Sequence, residues 1–289
     1  MTRLSIIGVG RIGGEVAYLS SVQKLVDEIF LYDICSALLK SQILDIQHAG
    51  LDVTITTEIK DFYDSDVCIF SAGMPRNPSI KTRADLLSAN LPAISQWSRH
   101  LKKFEGNLIT VTNPMDINNY ILWKYSGLEK NRCIGFGGQL DSARFGIELK
   151  NINISDPAWI LGEHGEHQVP IFSSFSKAVF DDQREKILAN LRGSSMQVIH
   201  GKAGTVFGPA LHISQLVDTI VSDKRTILPC SCILDGEYGI SGCSLGVPAK
   251  IGKDGIISII EKPLDDWERK HLDDAGKFVQ TLCNHELVS

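Results

Sequence analysis

The stretch Leu4-Ser5-Ile6-Ile7-Gly8-Val9-Gly10-Arg11-Ile12-Gly13-Gly14 decides the architecture of this chain. Leu4 to Val9 is a short apolar run of the kind that forms a buried parallel strand. It passes straight into Gly-x-Gly-x-x-Gly and then into a helix-like segment, Glu15 to Ser21. In that setting Gly8 permits a tight turn, Gly10 lets a pyrophosphate approach the backbone, and Gly13 lets helix pack on strand. The helix N-terminus then turns its positive end on the phosphates. A second apolar strand, Glu28 to Tyr32, ends at Asp33, twenty residues past Gly13. A carboxylate there accepts hydrogen bonds from adenosine ribose hydroxyls and repels a 2′-phosphate, so the reading is a dinucleotide site that favours NAD over NADP. The alternative for Asp33 is a strand-end turn residue.

The rest of the first half keeps the same rhythm. A helix is expected over Ser36–Ala49, and strands over Val53–Thr57, Val67–Phe70, Leu108–Thr112 and Arg132–Gly135. Alternating strands and helices imply a doubly wound parallel sheet, an α/β fold whose strand ends line a ligand crevice. Three segments fall at such ends: Ser71-Ala72-Gly73, Asn113-Pro114, and the basic stretch from Met74 to Arg83 that leads into a helix starting near Thr82. Read alone, that stretch is a solvated loop, and Asn113-Pro114 a turn.

Bulk properties narrow the function. The chain has 289 residues, 43% of them hydrophobic and 22% charged, the balance of an ordinary globular protein. A net charge of −5 argues against nucleic acid as a partner. Neither a signal peptide nor an apolar run of eighteen residues is evident, so no membrane association is expected, and the cytoplasm is the expected location. The seven cysteines contain no Cys-x-x-Cys pair. Reduced buried thiols and no metal site are therefore expected.

Chemistry concentrates in Trp159-Ile160-Leu161-Gly162-Glu163-His164-Gly165-Glu166-His167-Gln168. Histidine is the side chain suited to proton exchange near neutral pH. His164 lies in a glycine-flanked turn, and His167 is its one rival. Upstream, Asp141 and Arg144 are three apart, so on a helix they share a face. That pair is also the pattern of a plain surface ion pair. Tyr120 and Lys124 match the Tyr-x-x-x-Lys of short-chain dehydrogenases, but the glycine pattern of those enzymes differs, and an ordinary helix after Asn113 is the preferred reading.

Taken together, Gly8/Gly10/Gly13, Asp33, Pro75-Arg76 with Arg83, Asn113-Pro114, Leu140-Asp141-x-x-Arg144 and Gly162-Glu163-His164-Gly165 resemble the lactate/malate dehydrogenase family over nearly the whole chain. The similarity is greater to its malate dehydrogenases of lactate-dehydrogenase-like type. The resemblance implies a Rossmann domain over residues 1–138, followed by a mixed α+β substrate domain over 139–289, and a homodimer or homotetramer. It implies His164 as proton acceptor and donor, with Asp141 holding its tautomer. Arg144 grips the 1-carboxylate of a small-molecule substrate. Arg83, on a mobile loop, polarises the carbonyl, and Asn113 hydrogen-bonds the reacting oxygen. Gly8, Gly10, Ile12, Gly13, Asp33, Ser71, Gly73, Asn90 and Asn113 are the implied NAD-binding positions.

Arg76 matches the clamp for a second carboxylate, which points to malate and oxaloacetate. A site built for a polar partner can reject an analogue lacking it by ~10⁴-fold or more. Three features favour the alternative, a lactate or broad 2-hydroxy-acid dehydrogenase. The Arg76–Arg83 loop is one residue longer than usual and lacks its glycine, Lys81 competes as the distal cation, and Thr205 matches a position where lactate enzymes carry threonine. A non-catalytic NAD-binding regulator is the remaining reading, and the Asp141/Arg144/His164 set argues against it. In the second half, helices are expected over Asp181–Arg192 and Ser194–Lys202, strands over Thr226–Pro229 and Val247–Ile251, and a packed closing helix over Trp267–Leu282.

Overall fold

A computed structural model of the protein describes residues 1–74, 82–202 and 204–288. The first half runs β1 (Arg3–Ile7), α1 (Arg11–Val22), β2 (Glu28–Tyr32), α2 (Ser36–His48), β3 (Thr54–Thr56), α3 (Ile59–Tyr63), β4 (Val67–Phe70), α4 (Arg83–Leu101), β5 (Asn107–Thr110), α5 (Met115–Ser126) and β6 (Cys133–Gly135). The strands lie in the order β3-β2-β1-β4-β5-β6 and pair in parallel throughout. This is a Rossmann sheet whose winding reverses between β1 and β4, the position where such sheets open a crevice at their strand ends.

Continuous apolar runs make these strands because helices cover both faces of the sheet. Leu4, Ile6, Ile7, Ile29, Phe30, Val67, Ile69, Phe70, Leu108 and Ile109 are all sealed from solvent. Each such side chain contributes roughly 1.5–3 kcal/mol. Phe62, on α3, packs edge-on to Trp97 of α4 and stacks on Phe104, which closes the core under the sheet edge.

The second half runs α6 (Gly138–Asn151), β7 (Ile160–Gly162), β8 (Gln168–Pro170), α7 (Asp181–Lys202), α8 (Phe207–Val221), β9 (Thr226–Asp235), β10 (Ser241–Gly252), β11 (Gly255–Ile259) and α9 (Asp266–Val288). Its sheet is antiparallel, so with the helices it forms a mixed α+β unit. The two halves are not separate layers. β6 pairs antiparallel with β9, through Ile134↔Cys232 and Gly135↔Ser231, and the sheet continues as β6-β9-β10-β7-β8 with β11 on β10. One hydrophobic core spans both halves, and a satellite cluster around Phe145, Phe172 and Leu191 lies under α7.

Several elements differ from the expectations. Asp181–Lys202 is a single helix rather than two; Gly193 lies inside it, with open space around its Cα. β9 and β10 extend well beyond their apolar kernels because Cys230, Ser231, Cys232, Cys243 and Ser244 are small enough to be buried in a sandwiched hairpin. α8 begins Phe207-Gly208-Pro209, and proline in the first helical turn breaks no hydrogen bond.

Candidate active site

The crevice above β1 and β4 is built from backbone. Gly8 has φ +90°, and a Cβ there would sit 2.5 Å from the Ala72 Cα, so the turn and the neighbouring strand end both require glycine. A Cβ on Gly13 would run into the Gly8 carbonyl. Gly10 is different, because nothing lies within 4 Å of where its Cβ would be. Its face is open at the N-terminus of α1, as a pyrophosphate requires. Ile12, on the first turn of α1, packs against the core.

Asp33 ends β2 and is held in place by two backbone donors, Val9 N–H at 2.9 Å and Cys35 N–H at 2.9 Å. Each oxygen therefore keeps acceptor capacity for a ribose hydroxyl. The two readings of Asp33 coincide: the turn bond to Cys35 presents the carboxylate. Ser71 and Asn90, two of the expected cofactor-binding positions, are held by hydrogen bonds within the crevice. Ser71 Oγ donates to the Gly8 carbonyl at 2.8 Å. Asn90 is buried; its Oδ1 accepts from Met74 N–H at 2.6 Å and its Nδ2 donates to the Asn113 carbonyl at 2.8 Å. Both side chains brace the crevice walls. Gly73 fits against Asn90 and Thr112 with no room for a Cβ, and Asn113 stands exposed beside them.

The histidine turn meets this crevice from the second half. His164 Nδ1 lies 2.6 Å from Asp141 Oδ2, and Asp141 is carried by the first turn of α6. Arg144, one turn on, contacts the other Asp141 oxygen at 3.1 Å. The i,i+3 pair and the histidine partner are therefore one cluster. Gly137 makes it possible, since a Cβ there would lie 2.5 Å from the His164 ring.

Two carboxylates lie beneath this cluster. Asp116, in the first turn of α5 and 1% exposed, accepts the His164 backbone N–H at 2.7 Å and the Ser231 hydroxyl at 2.5 Å. Ser231 and Ser244 lie 2.8 Å apart, Asn119 donates to Ser244 and accepts from Thr110, so a buried polar chain runs from β5 to the histidine. Glu163, also 1% exposed, contacts Arg83 Nη2 at 3.0 Å and accepts the His167 N–H at 3.0 Å. Arg83 Nη2 also donates to the His164 carbonyl at 3.1 Å.

Charge follows from these contacts. Burial opposes a charged His164, but the Asp141 carboxylate, its hydrogen bond and the Asp116 carboxylate outweigh burial and the Arg83 charge, so its pKa lies above the ordinary 6.5. Burial, reinforced by Glu163, pushes Asp116 up to about 6 against its bonds from Ser231 and His164. Burial would also raise Glu163, yet the His167 ring and the Arg83 guanidinium bring it down to about 2.

Arg83 is the first residue of α4 and not part of a loop, which corrects that expectation. Thr82 caps the helix: its side chain accepts from Asp85 N–H and its own N–H donates to Asp85. Pro75, Arg76 and Lys81 lie outside the described residues. His167 is not bonded to Asp141; its Nδ1 lies 3.5 Å from Glu163 Oε2, and its ring stacks on Phe278 at 4.2 Å. Tyr120 is buried in α5 and Lys124 lies 4.5 Å over Trp123, so that pair belongs to the core and its edge. Asp116 and Glu163 were not singled out by sequence. An acid in a first helical turn is too common to signal a site, and Glu163 is overshadowed by its neighbour His164. No cluster of metal-binding side chains occurs among the described residues.

A Rossmann crevice with an acidic β2 end, facing a carboxylate-oriented histidine and an arginine, defines an NAD-binding oxidoreductase. Two family models match, the lactate/malate dehydrogenase NAD-binding domain over residues 2–135 and the lactate/malate dehydrogenase alpha/beta C-terminal domain over 139–285. The chain belongs to the lactate/malate dehydrogenase family, and within it sits nearest the malate dehydrogenases. It is 36% identical over 300 residues to a malate dehydrogenase of Halobacterium salinarum, covering 96% of this chain and 97% of the relative. The structure of malate dehydrogenase from Archaeoglobus fulgidus in complex with NADH is similar at a TM-score of 0.89 and 34% identity, over 98% of this chain and 99% of that one. A lactate dehydrogenase from Cryptosporidium parvum, complexed with lactic acid and the dinucleotide, is similar at a TM-score of 0.89 and 29% identity, over 98% and 97%.

Proposed function

We propose that this protein is an NAD-dependent malate dehydrogenase that interconverts malate and oxaloacetate. The observation that carries the reading is His164 bonded to Asp141 beside Arg144, at the mouth of a crevice whose open Gly10 and acidic Asp33 suit a dinucleotide. NAD supplies the hydride chemistry when bound, and Gly8, Gly10, Gly13, Asp33, Gly73 and Asn113 would line its site. His164 takes the hydroxyl proton on Nε2 during oxidation and returns it during reduction. Asp141, on Nδ1, fixes the tautomer and stabilises the imidazolium. Arg144 binds the 1-carboxylate as a planar fork, Arg83 polarises the carbonyl, and Asn113 bonds the reacting oxygen.

Arg76 is the proposed clamp for the second carboxylate, and the malate dehydrogenases among its relatives support it. Thr205, half-buried just before α8, and the lactate dehydrogenases among the similar structures support a second reading, a lactate or mixed 2-hydroxy-acid dehydrogenase. We further propose a cytoplasmic homodimer or homotetramer divided at residue 138/139. Exposed Leu38 and Leu44 on α2, with Phe207 and Leu211 on α8, support self-association. Among the described residues no helix is long and apolar enough to cross a membrane.

The test is NADH oxidation with oxaloacetate and with pyruvate under identical conditions. A large kcat/KM preference for oxaloacetate is expected. A pyruvate preference would transfer the assignment to the second reading. Turnover of neither, with NADH still bound, would overturn the dehydrogenase reading.

A further inference from the structure

The reaction proposed above gives no part to Asp116, yet the fold ends a directed series of hydrogen bonds on it. Thr110 of β5 donates its hydroxyl to Asn119 Oδ1 at 2.9 Å, and Asn119 of α5 donates its amide to the Ser244 hydroxyl of β10 at 2.9 Å. Ser244 and Ser231 of β9 lie 2.8 Å apart, and Ser231 spends its hydrogen on Asp116 Oδ1 at 2.5 Å. Ser244 must therefore be the donor to Ser231, because a hydroxyl has a single hydrogen. Every bond in the series points toward Asp116, whose other oxygen accepts the His164 N–H at 2.7 Å. All five side chains are buried. A protonated Asp116 would have to turn its hydrogen on Ser231, reverse Ser244 and bring that hydroxyl hydrogen against the Asn119 amide donor. The direction of the series thus selects the carboxylate, against the burial and the Glu163 charge that push Asp116 up to about 6.

We propose that Asp116 is a positioning residue: held ionised by the series Thr110, Asn119, Ser244 and Ser231, it anchors the His164 main chain and sets a second negative charge behind the imidazole. The inference rests on the proton exchange assigned to His164. Asp141 orients the ring from its side-chain end, and Asp116 holds the turn from its backbone end. The other groups facing His164 are Asp141 of α6, with Arg144 on its second oxygen, Arg83 of α4, and Glu163 and His167 of the same turn. Asp116 itself faces Glu163, Cys243 of β10 and Cys283 of α9, and burial keeps both thiols neutral. Removing the Asp116 charge therefore subtracts a carboxylate that favours the imidazolium and leaves the Arg83 charge that opposes it.

The test reads His164 directly. Its modification by diethyl pyrocarbonate, which attacks the neutral ring, is followed across pH by peptide mass spectrometry. The wild-type midpoint should lie above 6.5. Asp116→Asn keeps an oxygen for the His164 N–H and should lower that midpoint by about one unit. Ser231→Ala leaves Asp116 with one donor and should move the midpoint the same way by less, so it carries the test if Asp116→Asn fails to fold. The falling limb of kcat/KM for oxaloacetate should move to lower pH with the midpoint, a loss of about 10-fold on the alkaline side with the acid plateau retained. A purely structural Asp116 would lower the plateau and leave the midpoint where it was. An unmoved His164 midpoint in Asp116→Asn, or in Ser231→Ala where only that variant folds, would overturn the proposal. If the wild type turns over no 2-oxo acid, the reaction assigned above fails, and the labelling midpoints still decide whether Asp116 acts on His164.

Discussion

His164 stands between opposing pressures, and their balance sets the pH at which it works. Burial favours the neutral ring, while Asp141 at 2.6 Å and Asp116 behind the backbone favour the imidazolium; the carboxylates win. Reduction of a 2-oxo acid consumes a proton from His164. Its rate therefore holds below the raised pKa and falls as pH rises through it, above the 6.5 of an ordinary histidine. The stability linked to this group has the same sign: it is fully present below the unfolded pKa and is lost as pH rises through the folded one. Glu163 works oppositely, since its lowered pKa contributes stability above the ordinary 4.5 that is lost as pH falls toward about 2. His164→Asn is expected to lower turnover by about 10²–10⁴ and to abolish the pH limb, with NADH affinity nearly unchanged. Steady-state pH profiles with fluorescence titration of NADH check this; near-normal turnover would remove His164 from the mechanism. His164, Asp141 and Arg144 were legible in the sequence because each sits in a short motif with fixed spacing. Asp116 was not, because its meaning depends on Ser231 and the His164 amide, both remote in the chain.

Helix α4 links helix chemistry to the site. Its first residue is Arg83, and the capping box of Thr82 and Asp85 fixes where the helix begins. Thr82→Ala removes the acceptor for the Asp85 N–H and is expected to cost about 0.5–2 kcal/mol. The check is the urea midpoint, which should fall with an unchanged m-value; an unaltered midpoint would mean the cap is not holding the helix. The start near Thr82 was readable from the loop composition and the apolar run that follows. The αβ alternation of the first half was readable for the same reason: its strands are continuous apolar runs between polar helices. The hairpin β9–β10 was hidden by its small residues. Pro229 pairs with Pro248, and Ser231 with Gly246, residues that in isolation read as turns.

At the scale of the whole molecule, the crevice and the histidine turn belong to one hydrogen-bonded sheet. β6 closes the parallel half and at the same time pairs with β9, next to Ser231 and its bond to Asp116. The core is likewise common to both halves. NADH bound at the crevice is therefore expected to stabilise the chain as a unit, by about 2.7 kcal/mol at a hundred times its Kd. Thermal unfolding followed by far-ultraviolet circular dichroism should show one transition that moves upward with NADH. Two transitions of which only one moves would contradict a shared sheet.

The pairing of β6 with β9 also constrains how the chain can be made. During translation the parallel strands emerge first, and by Gly135 the nucleotide crevice has all of its strands. The outer edge of β6 then stays without its neighbour until Thr226 and the residues after it leave the ribosome. A bare edge invites pairing with other chains. β6 spans only Cys133–Gly135, so the edge that waits is three residues long.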